Sequence, residues 1–232
     1  MRCLVVQTAF LGDVILTVPL LRLLGRDSRV SEIFVVASPP GADFLDGQRV
    51  ADRVITFDKR GRDAGPAGMM RVIRELKELS PDVALVPHRS FRSAFLPFAA
   101  RVPRRIGFDV SGGRRLLTER VPYQLANHEI ERVAALAGSL GIGLPHGRIP
   151  FELKVPEGRR VALAETLSRR GLSGRGCRLV VAPGSRWATK RWLPGRFAEA
   201  ARSLSDRLSA DVVVVGAHGE SEVGALVSAA AG

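Results

Sequence analysis

Four segments hold residue types that could do chemistry, and each follows a run that reads as a β-strand. In QTAFLGDVILTVPLL, from Gln7 to Leu21, an extended run ends near Thr8, a turn contains Gly12, and Asp13 opens an apolar helical pattern. A carboxylate there could take a proton from a hydroxyl, and a glycine beside it lets another group approach the backbone. The plain alternative for Asp13 is an N-cap on its helix. In VVAPGSRWATKRWLPGRF, from Val180 to Phe197, a strand runs into a turn with Ser185, Lys190 and two tryptophans before Pro194. Hydroxyl, backbone N–H and ammonium groups converging at a strand end suit a pyrophosphate. The alternative is a surface loop with Trp192 packed on the core as a lid. In VVVVGAHGESE, from Val212 to Glu222, Glu220 follows a strand ending at Gly216 and could bind the two hydroxyls of a ribose. An acid in the first turn of the last helix is the competing role. In PHRSFRSA, Arg89 and Arg92 follow a strand ending near His88, which itself reads as a rim or core histidine rather than a catalyst. A solvated helix start capped by Ser90 would explain the same residues.

The elements that must position these groups alternate between short β-branched runs and helical patterns, the grammar of βα units around a parallel sheet. Strands are expected at Cys3–Thr8, Ile33–Ala37, Arg53–Phe57, Val83–Val86 and, as a short edge strand, Arg105–Phe108. Helices are expected at Asp13–Leu24, Met69–Leu79 and Phe91–Ala100, and across Ile130–Leu140 with Asn127 as cap and Gly141 as stop. From Gly141 to Gly158 Gly, Pro and basic residues cluster without a helical period, which predicts a linker. Beyond it a helix at Arg159–Arg170, a strand at Arg178–Ala182, a helix at Pro194–Leu208, a strand at Asp211–Val215 and a helix from about Glu220 follow. The expected division is a first domain at 1–145, a linker at 146–158 and a second domain at 159–232. Two strands leave sheet edges bare in that second domain, which is therefore expected to be incomplete.

Other chemistries find little support. The turn at Gly12 is neither a GxGxxG fingerprint nor a phosphate loop of the GKS/T kind. Cys3 and Cys177 form no CxxC pair, so no metal or redox motif is supported, and lone cysteines fit a reducing cytoplasm. No signal peptide is read at the N-terminus, and the apolar runs are too short to span a bilayer. A formal charge of +12 suggests an anionic partner and would let the protein sit on an anionic membrane face. A genomic preference for Arg would produce the same excess; Lys occurs only at 59, 77, 154 and 190. Nucleic-acid binding rests on charge alone, without a helix-turn-helix pattern, zinc spacing or aromatic sheet face.

Taken together, QTAFLGDVILTVPLL, APGSRWATKRWLPGRF and the segment around Glu220 resemble the ADP-heptose:lipopolysaccharide heptosyltransferases of glycosyltransferase family nine. The resemblance implies an α/β fold of GT-B architecture, two Rossmann-like domains facing across a cleft, with acceptor held mainly by the first and donor by the second. It implies an inverting, metal-independent transfer of heptose from ADP-heptose to the inner core of lipopolysaccharide, with no cofactor. Asp13 matches the family's general base, Lys190 the lysine on the donor phosphates, Ser185 the hydroxyl beside it, and Glu220 the ribose ligand. Gly12, Arg89 and Arg92 fall on the acceptor side, where arginines suit a phosphorylated lipid-sugar. The implied partners are ADP-heptose, a Kdo- or heptose-bearing lipid A and the anionic inner-membrane surface, with no nucleic acid. The implied location is cytoplasmic and peripheral on the inner membrane. One departure is plain: no DTGPxH-like motif occurs before Gly232. The competing reading is a non-catalytic Rossmann-like remnant that binds an acidic glycolipid or nucleotide.

Overall fold

A computed structural model describes residues 1–145, 147–172, 176–185 and 187–231. The chain divides into two units, Met1–Pro156 and Glu157–Gly232. In the first, the apolar runs form β1 (Arg2–Gln7), β2 (Glu32–Ala37), β3 (Arg53–Thr56), β4 (Val83–Val86), β5 (Arg104–Phe108) and β6 (Glu119–Val121). All pair in parallel, in the order β3-β2-β1-β4-β5-β6, the doubly wound arrangement of a Rossmann sheet. Because both faces are covered, β1 is buried on both: Cys3 and Val5 face one core, Leu4 and Val6 the other.

On the first face lie α1 (Leu11–Ile15), α2 (Val18–Arg26), α3 (Pro39–Gln48) and α6 (Glu129–Gly138), and on the second α4 (Pro66–Leu79) and α5 (Phe91–Ala99). Leu20, Leu21 and Leu24 of α2 are buried, each contributing about 2 kcal/mol of apolar burial.

Several expectations are corrected. The single helix expected at Asp13–Leu24 is two, because Pro19 has no N–H to continue the ladder and Thr17 bonds back to Asp13 O at 2.8 Å instead. Helix α3, PPGADFLDGQ, was not among the expected elements; its two prolines occupy the first two helical positions, where no N–H is needed. The strand at Arg104–Phe108 is interior rather than an edge, since β6 pairs outside it. The cap of α6 is His128, not Asn127: its ring accepts the Ile130 N–H while Glu131 receives the N–H of His128. Ser90 stands at the cap position of α5 without a side-chain bond to it.

Of the expected linker, His146 lies outside the described residues, and residues 150–156 belong to the first unit. Arg22 donates to Glu152 O (3.1 Å), and the Gln48 amide exchanges two hydrogen bonds with the Lys154 backbone (2.8 and 2.9 Å). In the second unit, β7 (Cys177–Val181) and β8 (Ala210–Val214) pair in parallel, with α7 (Glu157–Arg169), α8 (Pro194–Leu208) and α9 (Ser221–Ala231) as its helices. Val181, Ala201 and Val227 form its small buried cluster.

Candidate functional site

In an open parallel sheet, the strands on either side of the order reversal splay at their carboxyl ends and leave a crevice. Here the reversal falls between β1 and β4. The residues just beyond those ends are Thr8 and His88, and they meet. The hydroxyls of Thr8 and Ser93 are 3.1 Å apart, and His88 Nδ1 lies 3.2 Å from the first and 2.8 Å from the second. Lys59, just past the end of β3, donates from Nζ to Thr8 Oγ1 at 3.3 Å.

Electrostatics follow from this crowding. Burial, then the charges of Arg60 and Arg92, push the Lys59 ammonium below the ordinary lysine range. Burial, then Lys59 and Arg89, lower His88 to about 4, so it is a neutral imidazole at physiological pH. The cluster is thus cationic through Lys59, Arg60 and Arg92, while His88 and the two hydroxyls are neutral hydrogen-bonding groups.

Asp13 stands on the first turn of α1 but is its third residue, not its cap; Phe10 occupies that place. Its Oδ2 accepts the Phe10 N–H at 3.1 Å, and among the described residues Oδ1 has no hydrogen bond. At Gly12 nothing lies within 4 Å of where a Cβ would project, so the backbone beside Asp13 is open to approach. Behind the turn, Gln7 donates to Thr17 Oγ1 at 3.0 Å and braces α1 on the sheet.

The predicted arginines separate. Arg92 lies close enough to Lys59 for its charge to act there. Arg89 stacks instead on Tyr123, its Cζ 4.6 Å from the ring centroid, with Arg132 at the same distance from that ring. Lys59, Thr8 and Ser93 were not singled out from sequence. The signal for Lys59 was present: a scarce residue type directly after a strand end, the same criterion that selects Lys190.

In the second unit, an open cleft of about 590 Å³ follows the carboxyl ends of β7 and β8, lined by Gly184, Gly216, Ala217 and Glu220 among others. Glu220 Oε2 accepts the Ala217 N–H at 2.9 Å. Its side chain fills the space a Cβ would need on Gly184 and borders that of Gly216, so both strand-end turns depend on glycine to admit it. Ser185 is half-buried and its carbonyl accepts from Arg191 Nε, while Lys190 is exposed on a 3-10 turn, Ala188–Lys190. Glu220 is therefore placed in the cleft by its own contacts, whereas among the described residues no contact draws Lys190 to it. Trp192 is half-exposed and stacks edge-on against Phe197 at 5.2 Å instead of sealing the core. Among the described residues, no group of three or more His, Cys, Asp or Glu side chains could hold a metal ion.

Comparison with known proteins bears on the fold and the family. The chain is 28% identical over 242 residues to lipopolysaccharide heptosyltransferase 2 of Escherichia coli, covering 99% of this chain and 67% of that protein. The corresponding protein of Salmonella typhimurium is 27% identical over a similar span. Among solved structures, a glycosyl transferase family 9 protein from Veillonella parvula superposes with a TM-score of 0.84 at 25% identity, over 97% of this chain and 66% of that one. The ADP-heptose lps heptosyltransferase II of Escherichia coli gives 0.79 at 28%, over 99% and 69%. The chain thus spans about two thirds of the length of these relatives, and its α/β fold, with two Rossmann-like units of the GT-B kind, is theirs. The model of glycosyltransferase family 9 (heptosyltransferase) matches residues 69–231, through the turns after β4, β7 and β8, and the chain belongs to that family.

Proposed function

We propose that this chain serves an inverting transfer of heptose from ADP-heptose to the inner core of lipopolysaccharide, without a metal ion. The observation that carries the reading is the pair of strand-end sites: Asp13 and a cationic cluster in the first unit, and the Glu220 cleft in the second. The first suits a phosphorylated lipid-sugar acceptor, such as a Kdo- or heptose-bearing lipid A. The second suits the adenosine end of the donor, with Glu220 on the ribose hydroxyls.

In the proposed reaction an acceptor hydroxyl attacks the anomeric carbon of heptose. Its oxygen forms the new glycosidic bond as the bond from carbon to the ADP oxygen breaks on the opposite face. Asp13 takes the hydroxyl proton as the bond forms, a task for which a carboxylate suffices because the proton moves only with bond formation. ADP leaves with additional negative charge, which Lys190 and the N–H groups around Ser185 would stabilise. Gly12 gives the acceptor room, and Arg92, with Arg89 at the rim, balances its acidic groups. The proposed setting is the cytoplasmic face of the inner membrane. No described helix is long and apolar enough to cross a membrane.

The test is ADP release from ADP-heptose in the presence of a heptosylated or Kdo-bearing lipid A. Asp13→Asn is expected to abolish turnover while donor affinity, read by calorimetry, stays within about threefold. Full turnover by this variant would overturn the base assignment. Absence of any ADP or ADP-heptose binding by the wild-type chain would overturn the donor reading.

A further inference from the structure

The helix that begins just after His88 buries only one side. Ser93, Ala94, Leu96 and Pro97 of α5 pack inward, while Phe91, Phe95 and Phe98 form a stripe at positions i, i+4 and i+7. Phe91 is 54% exposed and Phe98 44%. The rings touch along the stripe, 6.0 Å between centroids for Phe91 and Phe95 and 6.4 Å for Phe95 and Phe98. Three adjacent phenyl groups on one helix face are more than the scattered apolar residues a solvated surface carries.

The segment of chain that carries the stripe is strongly basic. Between His88 and Thr118 the chain has seven arginines (89, 92, 101, 104, 105, 114, 115) against a single acid, Asp109. That excess of six is half of the formal charge of the whole chain. Arg105 lies over the Phe98 ring, its Cζ 5.6 Å from the centroid. Arg114 and Arg115 sit on a 3-10 turn whose Gly113 packs so tightly against Ala94 and Phe91 of α5 that no Cβ would fit. The basic turn and the aromatic helix are therefore one fixed surface. Among the described residues Arg92, Arg101, Arg114 and Arg115 have no carboxylate partner, whereas Arg104 is paired with Glu119.

We infer that α5 and the turn Arg114–Leu116 form a docking surface for an anionic lipid bilayer, with the phenyl rings entering the headgroup region and the arginines on the phosphates. Apolar rings ringed by long basic side chains match the layering of such an interface, since the guanidinium groups stay with the phosphates while their stems and the rings reach inward. Each arginine near an anionic surface contributes about 1 kcal/mol. The surface begins three residues after His88, so a docked chain would present its switch-point crevice beside the bilayer. The inference rests on the membrane-borne acceptor proposed above for its purpose, but lipid binding is measurable without transfer.

The test is flotation of the chain with vesicles of phosphatidylethanolamine and phosphatidylglycerol, alongside vesicles of phosphatidylcholine. Binding is expected to the anionic vesicles only. Arg114→Glu with Arg115→Glu should weaken it at least about thirtyfold, the equivalent of two lost arginine contacts. Phe91→Ser with Phe98→Ser should weaken it about tenfold or more, with melting temperature and circular dichroism showing that each variant folds. Arg202→Glu with Arg207→Glu, on α8 of the other unit, should leave binding unchanged. Equal binding to neutral vesicles, equal loss with the α8 variant, or retention of binding by either α5-face variant would overturn the assignment. No vesicle binding at all would do so too and would point to an acidic protein partner. A chain that binds vesicles yet never releases ADP would sink the transfer reading alone.

Discussion

Lys59 Nζ donates to Thr8 Oγ1 across 3.3 Å, although the two residues stand fifty-one apart in the chain. The bond ties the end of β3 to the end of β1, at the crevice where the sheet order reverses. It also fixes an ammonium group beside the turn that carries Asp13.

Lys59→Met is expected to raise the KM for the acceptor about tenfold or more, the value of one hydrogen bond to a charged group. The donor affinity should not move, because Lys59 is proposed to serve the acceptor and Glu220 the ribose of the donor. Initial rates at varied acceptor and calorimetry with ADP separate the two. A change confined to donor affinity would remove Lys59 from the acceptor site.

His88 gives a pH signature. In the unfolded chain its pKa is near 6.5, and in the folded protein it is lowered to about 4, first by burial and then by Lys59 and Arg89. Between those values the unfolded state binds more protons, so stability is full above pH 6.5 and is lost as pH falls toward 4. His88→Gln, which keeps a polar partner for Ser93, should flatten the fall in melting temperature between pH 7 and pH 5. An identical fall in both proteins would show that the ring titrates normally.

Gly184→Ala tests the second unit. A methyl group there would collide with the Glu220 carboxylate and push it from its place over the strand-end turns. Glu220 is a long, flexible side chain, so the fold should survive. ADP affinity is expected to fall about tenfold in Gly184→Ala, and by a similar factor in Glu220→Gln, with no additivity in the double variant. Independent, additive losses would separate Glu220 from the turn at Gly184.

Five strands of the first sheet and the two of the second unit were legible as short runs rich in β-branched residues, such as LVV, VALV and VVV, whereas the three-residue, partly exposed β6 was not. The placement of Asp13 and Glu220 beyond strand ends was legible because each follows such a run, and the carboxyl ends of parallel strands share one edge of their sheet. The break between α1 and α2, the helix written PPGADFLDGQ and the His128 cap were not, since each depends on which backbone N–H the local turn leaves unpaired. Nor was the Thr8–His88–Ser93–Lys59 network, whose members come from three strand ends and a helix start. Only the strand order brings those together, and periodicity within one segment carries no information about order.

The loop that delivers Lys59 is held by Asp63, whose buried carboxylate receives Arg71 Nε at 3.0 Å and Nη2 at 2.9 Å and also the Asp58 N–H at 2.9 Å. The Arg71 hydrogen bonds, first among the causes, hold the Asp63 carboxyl below the usual carboxylate range against the effect of burial. Stability from this pair is therefore present above about pH 4 and lost as pH falls through the lowered value. Arg71→Met strands a buried carboxylate and is expected to cost about 3 kcal/mol in denaturant unfolding. It should also reproduce the acceptor defect of Lys59→Met without touching the crevice, because the loop between Asp58 and Asp63 loses its anchor. If acceptor KM were normal in a folded Arg71→Met protein, Lys59 would be positioned by Thr8 alone, and the loop would have no part in presenting it.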